Sequence, residues 1–352
     1  MSKTTIIIPS GRGTTREIQM IRFAKALMSI QEQIEHVIPA ISARGWCYYL
    51  EGELLVTKAQ FDLVEKLVND CREKGYLPID FTAEEEARKF SGVETPETLS
   101  PIQYMKQFLE ATLQCENWYT VDWWEGERYY IQMVVEKIDL KTLFEPVCRE
   151  YHIPIATSKG WSSMLQRAEY AKRFKQAEER GLKCVLVYCG DHDPDGLRIS
   201  EFLRSNLRDL AHIIWKDETK GYNPSNLIID RFGLNFDFIE ANGLTWIDNL
   251  ITGSGKNLAD PSHPNYQQQY VQDYLQRYGP RKCEATALVK RPTEAQRLCR
   301  QAIEKYVGPD VLERFRIKRQ AIIDELQGFR EKTGLDKAVQ RGLEIINESE
   351  GT

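Results

Sequence analysis

The chain has 352 residues, 42% of them hydrophobic and 28% charged, with a formal net charge of −5. That composition is that of a globular chain long enough for two or three domains, and it excludes attraction to nucleic acid through overall charge, so any contact with DNA must come from local basic surfaces. No apolar run approaches the roughly 20 residues needed to span a bilayer, and "TTIIIPS" is too short for a signal peptide core, so the expectation is a cytoplasmic protein without a membrane partner.

In chain order, residues 1–10 read as a short strand, followed by a basic loop and a long amphipathic helix. Gly11, Gly13 and Arg16 imitate part of a dinucleotide fingerprint, but the third glycine is missing and no βαβ unit follows, so nucleotide binding is not expected there. From 40 to 80 a short helix, a turn over Glu51 to Val56 and a helix from Lys58 to about Lys74 give a helix-turn-helix outline, with Thr57 as N-cap and Gly75 as stop. "SGVETPETLSP" reads as a linker, a helix ending in "NWYTVDWW" follows it, and a domain boundary is placed near 120.

Residues 128–240 alternate strand and helix in the way that builds a parallel sheet. "YYIQMVV", "IPIAT" and "CVLVYC" read as strands, with helices over "DLKTLFEPVCREY", "WSSMLQRAEYAKRFKQAEERG" and "LRISEFLRSNLRDL". Beyond 240, loops lead into helices from about Glu294 to Tyr306 and Asp310 to Thr333. "GSGK" lacks the rest of a phosphate-binding loop, since Leu250 and Asn257 stand at required positions, and reads as a plain turn. The eight cysteines include no CxxC pair and read as reduced, mostly buried thiols, which makes structural zinc unexpected.

The most informative stretch is "VLVYCGDHDPDGLRIS", where an apolar run ends in a loop carrying Asp191, Asp193 and Asp195. It opens like a calcium EF-hand loop, but the twelfth position is Phe202 instead of a bidentate glutamate, and a strand precedes it where an EF-hand has a helix. Turn formation and helix capping explain one or two such aspartates. Three on a short loop repel one another unless a cation lies between them, and the C-terminal edge of a parallel sheet is where open α/β folds place ligands. Oxygen-only donors select a hard ion, most simply Mg²⁺, and Glu136 ends the first strand 55 residues before Asp191, so both acids belong at one end of one sheet.

A glutamate ending one strand and Asp-x-Asp after a later one resembles the Toprim domain, and "GDHDPDG" is most similar to its form in the topoisomerase VI A subunit and the meiotic double-strand-break transesterase. The similarity spans roughly residues 35–305 and includes "TSKGWSS" and the Glu-Ala segment in "RKCEATALV". The resemblance implies an α/β fold: an N-terminal extension (1–30), a winged-helix domain (31–120), a Toprim-type parallel-sheet domain (121–305) and a C-terminal helical extension (306–352). It implies Mg²⁺ held by Glu136, Asp191 and Asp193, with Asp195 a further candidate ligand. It also implies a nucleophilic tyrosine four residues after an arginine, which "SARGWCYYL" supplies as Arg44 and Tyr48, with Tyr49 adjacent.

Such a tyrosine, ordinarily with a pKa near 10, needs a nearby cation or base to attack phosphorus. In the family it forms a 5′-phosphotyrosyl link to double-stranded DNA, within a homodimer in which the tyrosine of one protomer works with the metal site of the other, and strand passage uses a separate ATPase subunit. The implied location is the cytoplasm, at the nucleoid. Lys58, Lys137, Lys159, His192 and Arg198 are candidate DNA contacts, within a longer series of basic residues; His192 otherwise reads as a solvated loop residue. A Toprim nuclease without a covalent intermediate and a non-catalytic DNA-binding module are the alternatives.

Overall fold

The computed structural model describes residues 6–34, 41–83, 99–158, 164–251 and 255–350. The expected linker over 91–98, Lys159 and most of "TSKGWSS", and Gly253 and Ser254 of "GSGK" therefore lie outside the described residues.

Two buried apolar runs set the architecture. They form the adjacent strands β1 (Tyr129–Val135) and β3 (Lys183–Cys189), each buried along most of its length, as a parallel strand covered on both faces must be. With β2 (Ile155–Thr157) and β4 (Ile228–Gly233) they make a four-stranded sheet in the order β2-β1-β3-β4, every pair parallel. The α/β class and the parallel sheet expected from the sequence are present. The chain leaves β1 towards β2 on one side and returns to β3 on the other, so the crevice above β1 and β3 is the topological switch point where such sheets bind ligands. Val135 pairs with Cys189, which sets Glu136 and Asp191 at one edge, as the sequence implied.

Helices α5 (Ile138–Glu150), α6 (Met164–Glu179), α7 (Pro194–Leu197) and α8 (Ile199–Arg208) alternate with the strands, and α9 (Phe236–Ala241), α10 (Gln269–Tyr278) and α11 (Pro292–Val307) follow. A 3₁₀ segment, Ala285–Lys290, is almost wholly buried.

The N-terminal residues pack in the same compact unit, which comprises residues 1–84 and 127–307. Its helices are α1 (Gly13–Ile34), α2 (Ala43–Gly52) and α3 (Phe61–Glu73). Trp46, Leu50, Phe61, Val64, Leu67 and Val68 form their shared core, with Trp46 stacked 5.3 Å from Phe81. At Gly75 the chain adopts φ 71°, a left-handed conformation that favours glycine, and Tyr76 N–H donates to Cys71 O at 2.8 Å to close α3. The helix-turn-helix outline is thus present, whereas a β-wing is not: among the described residues of this segment the only extended pairing is an isolated parallel bridge between Ile41 and Thr82. Ile6 to Ser10 carry no regular structure, so the described half of the expected first strand is irregular chain.

The second compact unit comprises residues 85–126 and 308–352, so the two units do not follow the four sequence segments one by one. Here α4 (Pro101–Thr112), α12 (Val311–Thr333) and α13 (Leu335–Glu350) lie together, and Trp123 and Trp124 of the aromatic cluster pack on Phe315. No described helix is long and apolar enough to cross a membrane.

Candidate active site at the sheet edge

The end of β1 turns directly into the site. Glu136 N–H continues the ladder to Cys189 O at 3.0 Å, and Glu136 Oε2 accepts the Asp191 N–H at 2.8 Å. This close approach requires glycine at position 190, where a Cβ would stand 2.7 Å from Glu136 Oε2 and collide with the Tyr188 hydroxyl. Asp191 is buried and fully engaged: Lys137 Nζ donates to both of its oxygens at 3.0 and 2.9 Å, and Ala285 N–H donates to Oδ1 at 2.7 Å. Asp193 caps α7 by accepting Gly196 N–H at 2.6 Å. Asp195 is exposed and accepts from the Tyr270 hydroxyl at 3.0 Å.

Lys137, only 16% exposed, bridges Asp191 to Glu284. Glu284 also accepts from Lys282 Nζ at 2.6 Å and Lys58 Nζ at 3.1 Å, so one buried carboxylate gathers three ammonium groups. Burial opposes the ionisation of Glu284, but Lys137, Lys282 and Lys58 outweigh it and hold the carboxyl well below its usual range. Burial likewise opposes the charge on Lys137, and Asp191, Glu284 and Glu136 overcome it, raising its pKa well above the ordinary value. Asp191 lies well above the usual carboxylate range, through burial first and then the charges of Glu136 and Glu284, which Lys137 offsets only in part. Burial pushes Asp193 up to about 6, with Glu136, Glu284 and Asp195 adding to the effect against the Gly196 N–H.

Tyr48 lies on this cluster. Lys137 Nζ is 4.2 Å and Lys58 Nζ 5.7 Å from its ring centre, and Phe61 meets the ring edge-on at 4.9 Å. Burial raises the Tyr48 pKa, Lys137 and Arg44 pull it down, and Glu284 and Asp191 push it up. Its hydroxyl makes no hydrogen bond to any described residue. Tyr49 instead packs edge-on to Trp46, with Lys290 Nζ 5.9 Å from its ring, and burial pushes it to about 12.

Comparisons with protein-family models, with curated proteins and with solved structures find no match.

Arg44, one turn before Tyr48, is paired with Asp62 and Glu65 of α3, both at 3.1 Å. Lys58 and Lys137 are turned into the acidic cluster. Arg198 pairs with Glu201 at 2.7 Å and lies 4.5 Å from the Tyr270 ring centre. His192 differs from both expected placements, a solvated loop residue or a DNA contact, because each needs an exposed ring and this one is 1% exposed. Its backbone bridges to Cys283, its Nδ1 lies 3.1 Å from the Tyr274 hydroxyl, and Trp246, Tyr274 and Tyr278 enclose it. Burial first, and then the charges of Arg231, Arg277 and Arg281, lower its pKa to about 4.

Two acids escaped the sequence reading. Glu284 lies in the segment that resembles the family's Glu-Ala element, which is the signal that could have found it. Glu51, on α2 one turn after Tyr48, is 4% exposed, and its Oε2 has no hydrogen-bond partner among the described residues. Burial and Glu284 raise its pKa, against Lys282, Lys58 and Lys137.

Among the described residues, no three Asp, Glu, His or Cys side chains stand close enough to form a ready-made metal cage. Mg²⁺ rarely uses one: it is commonly held by one or two carboxylates plus substrate phosphate and water. Glu136 and Asp193 fit that pattern, since each has one carboxylate oxygen that no described residue engages. Burial first, and neighbouring carboxylates after it, raise Asp191 and Asp193, and a divalent cation bound there would favour their ionised forms.

Proposed function

We propose that this protein is a Mg²⁺-dependent DNA-cleaving transesterase with Tyr48 as nucleophile. One observation carries the reading: the Tyr48 ring lies 4.2 Å from the ammonium of Lys137, which itself binds Asp191 at the switch point of a parallel sheet. A tyrosine, a desolvated cation and an oxygen-only acid cluster are the groups that phosphoryl transfer to a phenol needs.

In the step itself, Tyr48 Oη attacks the phosphorus of a DNA phosphodiester and loses its proton to solvent. The bond from phosphorus to the 3′ oxygen breaks, and that oxygen leaves as a hydroxyl after taking up a proton. The 5′-phosphate remains on the tyrosine, the polarity that the resemblance implies, and reversal reseals the strand. At pH 7 an ordinary phenol already costs about 4 kcal/mol to ionise, and burial raises that cost for Tyr48. Lys137 lowers it by placing positive charge against the ring, while Asp191 and Glu284 hold that lysine charged. Glu136 and Asp193 would hold Mg²⁺, with Asp191 as the adjoining acid; the bound ion would supply charge neutralisation at the scissile phosphate. The α2–α3 pair serves, in this reading, as a winged-helix-like element that delivers duplex DNA.

Metal-dependent hydrolysis without a covalent intermediate is the second reading. Arg44 is tied to Asp62 and Glu65, and no described residue accepts the Tyr48 hydroxyl proton, both of which favour it. Incubation with supercoiled DNA and Mg²⁺, followed by denaturation, separates the two. Protein attached to DNA that is lost in Tyr48→Phe supports the transesterase, and cleavage that persists in Tyr48→Phe refutes it in favour of the nuclease.

A further inference from the structure

An arginine presents several donors in one rigid plane and so ties together backbone groups that a single ammonium cannot span. β4 supplies such a residue to the acidic loop. We infer that Arg231 is the positioning residue that suits the loop to Mg²⁺ over Ca²⁺, by engaging the loop carbonyls that the larger ion needs. This inference rests on the Mg²⁺ site proposed above and is independent of what Tyr48 does.

The register of the sheet brings Arg231 to the loop. Tyr188 pairs with Arg231 but Cys189 pairs with Gly233, so Phe232 is an extra residue in β4, a bulge of the kind that re-aims side chains beside a site. Arg231 Nε donates to Gly196 O at 3.0 Å, and Nη2 donates to Asp191 O at 2.9 Å and to Leu234 O at 2.7 Å. Nη1 donates to Asn235 Oδ1. One guanidinium thus joins the two ends of the loop, with Asp193 between the joined points. The ends approach so closely that a Cβ at position 196 would collide with Asp191 O, which only glycine avoids. Among the described residues, Arg231 forms no ion pair, and its acceptors are carbonyl and amide oxygens.

Ca²⁺ takes about six to eight oxygen ligands, backbone carbonyls among them, whereas Mg²⁺ keeps several waters and accepts one or two carboxylates. Here the carbonyls of Asp191 and Gly196 are engaged by Arg231, and both carboxylate oxygens of Asp191 by Lys137. What remains for an ion is one oxygen of Asp193 and one of Glu136. That set meets the needs of Mg²⁺ and falls short of those of Ca²⁺. Arg231 touches no reacting atom; it acts through the shape of the loop.

The test follows the melting temperature of the full chain as magnesium chloride or calcium chloride is added, which gives an apparent Kd for each ion. Wild type should bind Mg²⁺ more tightly than Ca²⁺. Arg231→Lys keeps the charge but cannot reach both ends of the loop, so its Mg²⁺ affinity should fall about 10–100-fold, the usual effect of losing an outer partner of metal ligands. Its Ca²⁺ affinity should hold or rise, because carbonyls are released. A general loss of loop structure would weaken both ions alike, so parallel losses overturn the inference, as do unchanged affinities or a wild type that prefers Ca²⁺.

If circular dichroism shows that Arg231→Lys does not fold, Asn235→Ala, which removes only the Nη1 acceptor, carries the same comparison: a fall confined to Mg²⁺ supports the inference, and equal or absent effects overturn it. Wild type that binds neither ion refutes the metal-dependent reading itself. The hold of Arg231 on the loop is then decided by hydrogen exchange at Gly196, whose N–H lies 2.6 Å from Asp193 Oδ1. Exchange that is no faster in the variant overturns that hold as well.

Discussion

Glu284→Gln is the substitution whose cost follows most directly from the geometry. The wild-type carboxylate is 5% exposed and meets three ammonium groups. Lys137 retains Asp191 after the change, and Lys58, with 22% of its side chain exposed, can turn to water. Lys282 cannot: its side chain is 3% exposed, and its only other acceptor among the described residues is Ile251 O at 2.9 Å. Leaving a buried charge without its partner typically costs about 3–5 kcal/mol. The glutamine carbonyl recovers one neutral hydrogen bond worth about 1 kcal/mol, so the expected loss is about 2–4 kcal/mol. Urea unfolding followed by circular dichroism measures it as a lower midpoint with unchanged slope. Adding Lys282→Met should return much of the loss, because removing both members of a buried pair is far milder than removing one. A single-variant loss below about 1 kcal/mol, or no recovery in the double variant, refutes the claim that Glu284 anchors a desolvated cluster.

Gly190→Ala forces Glu136 and Tyr188 aside, so it should abolish Mg²⁺-dependent DNA cleavage while far-ultraviolet circular dichroism stays native; wild-type cleavage in this variant would contradict the role given to the close approach of Gly190 to Glu136. Asp139 has a folded pKa raised to about 6 from 3.8 by burial, so its ionisation costs stability as pH rises between those values, and fully protonated protein below about 4 escapes the cost. Asp139→Asn should therefore flatten the decline in stability between pH 4 and 6 and raise stability at pH 7, by up to about 3 kcal/mol at 1.36 kcal/mol per pKa unit; an unchanged pH profile in urea melts would refute this. Glu284 has the opposite sign: its folded pKa is depressed, so its contribution is present above the ordinary carboxylate pKa and is lost as pH falls through the lower folded value. The acid limb of the stability profile should be shallower in Glu284→Gln than in wild type. Mg²⁺ should raise the melting temperature of wild type and much less that of Asp193→Asn, as differential scanning fluorimetry will show.

The sheet was legible where burial is two-sided. β1 and β3 read as continuous apolar runs because both faces are covered, and their shared edge followed from the acids that end them. β4 was hidden because its sequence, IIDRFG, carries two charges with tertiary uses. Arg231 donates to the Asp191 carbonyl at 2.9 Å, and Asp230 accepts from the Tyr306 hydroxyl at 2.7 Å. Helix α10 was not anticipated either, lying within a run of Asn, Gln and Tyr that read as loop, whereas α13 falls within the expected C-terminal helical extension.

At the site, the acids of the loop could be found because like charges in one short stretch announce themselves. The lysines that answer them could not, because Lys137 and Lys282 look like solvated charges until the fold buries them against Glu284. His192 was misplaced for a related reason: the aromatic residues that enclose it come from the chain beyond β4 and only the folded structure brings them to the loop.

The central claim is that Tyr48 becomes covalently joined to DNA. Wild-type protein is incubated with duplex DNA and Mg²⁺, denatured, digested with nuclease and trypsin, and analysed by mass spectrometry. The tryptic peptide Gly45–Lys58 should carry a nucleotide mass on Tyr48, located by fragmentation and distinguished there from Tyr49. Cleaved DNA with that peptide unmodified, or with the nucleotide on any other residue, would contradict the account.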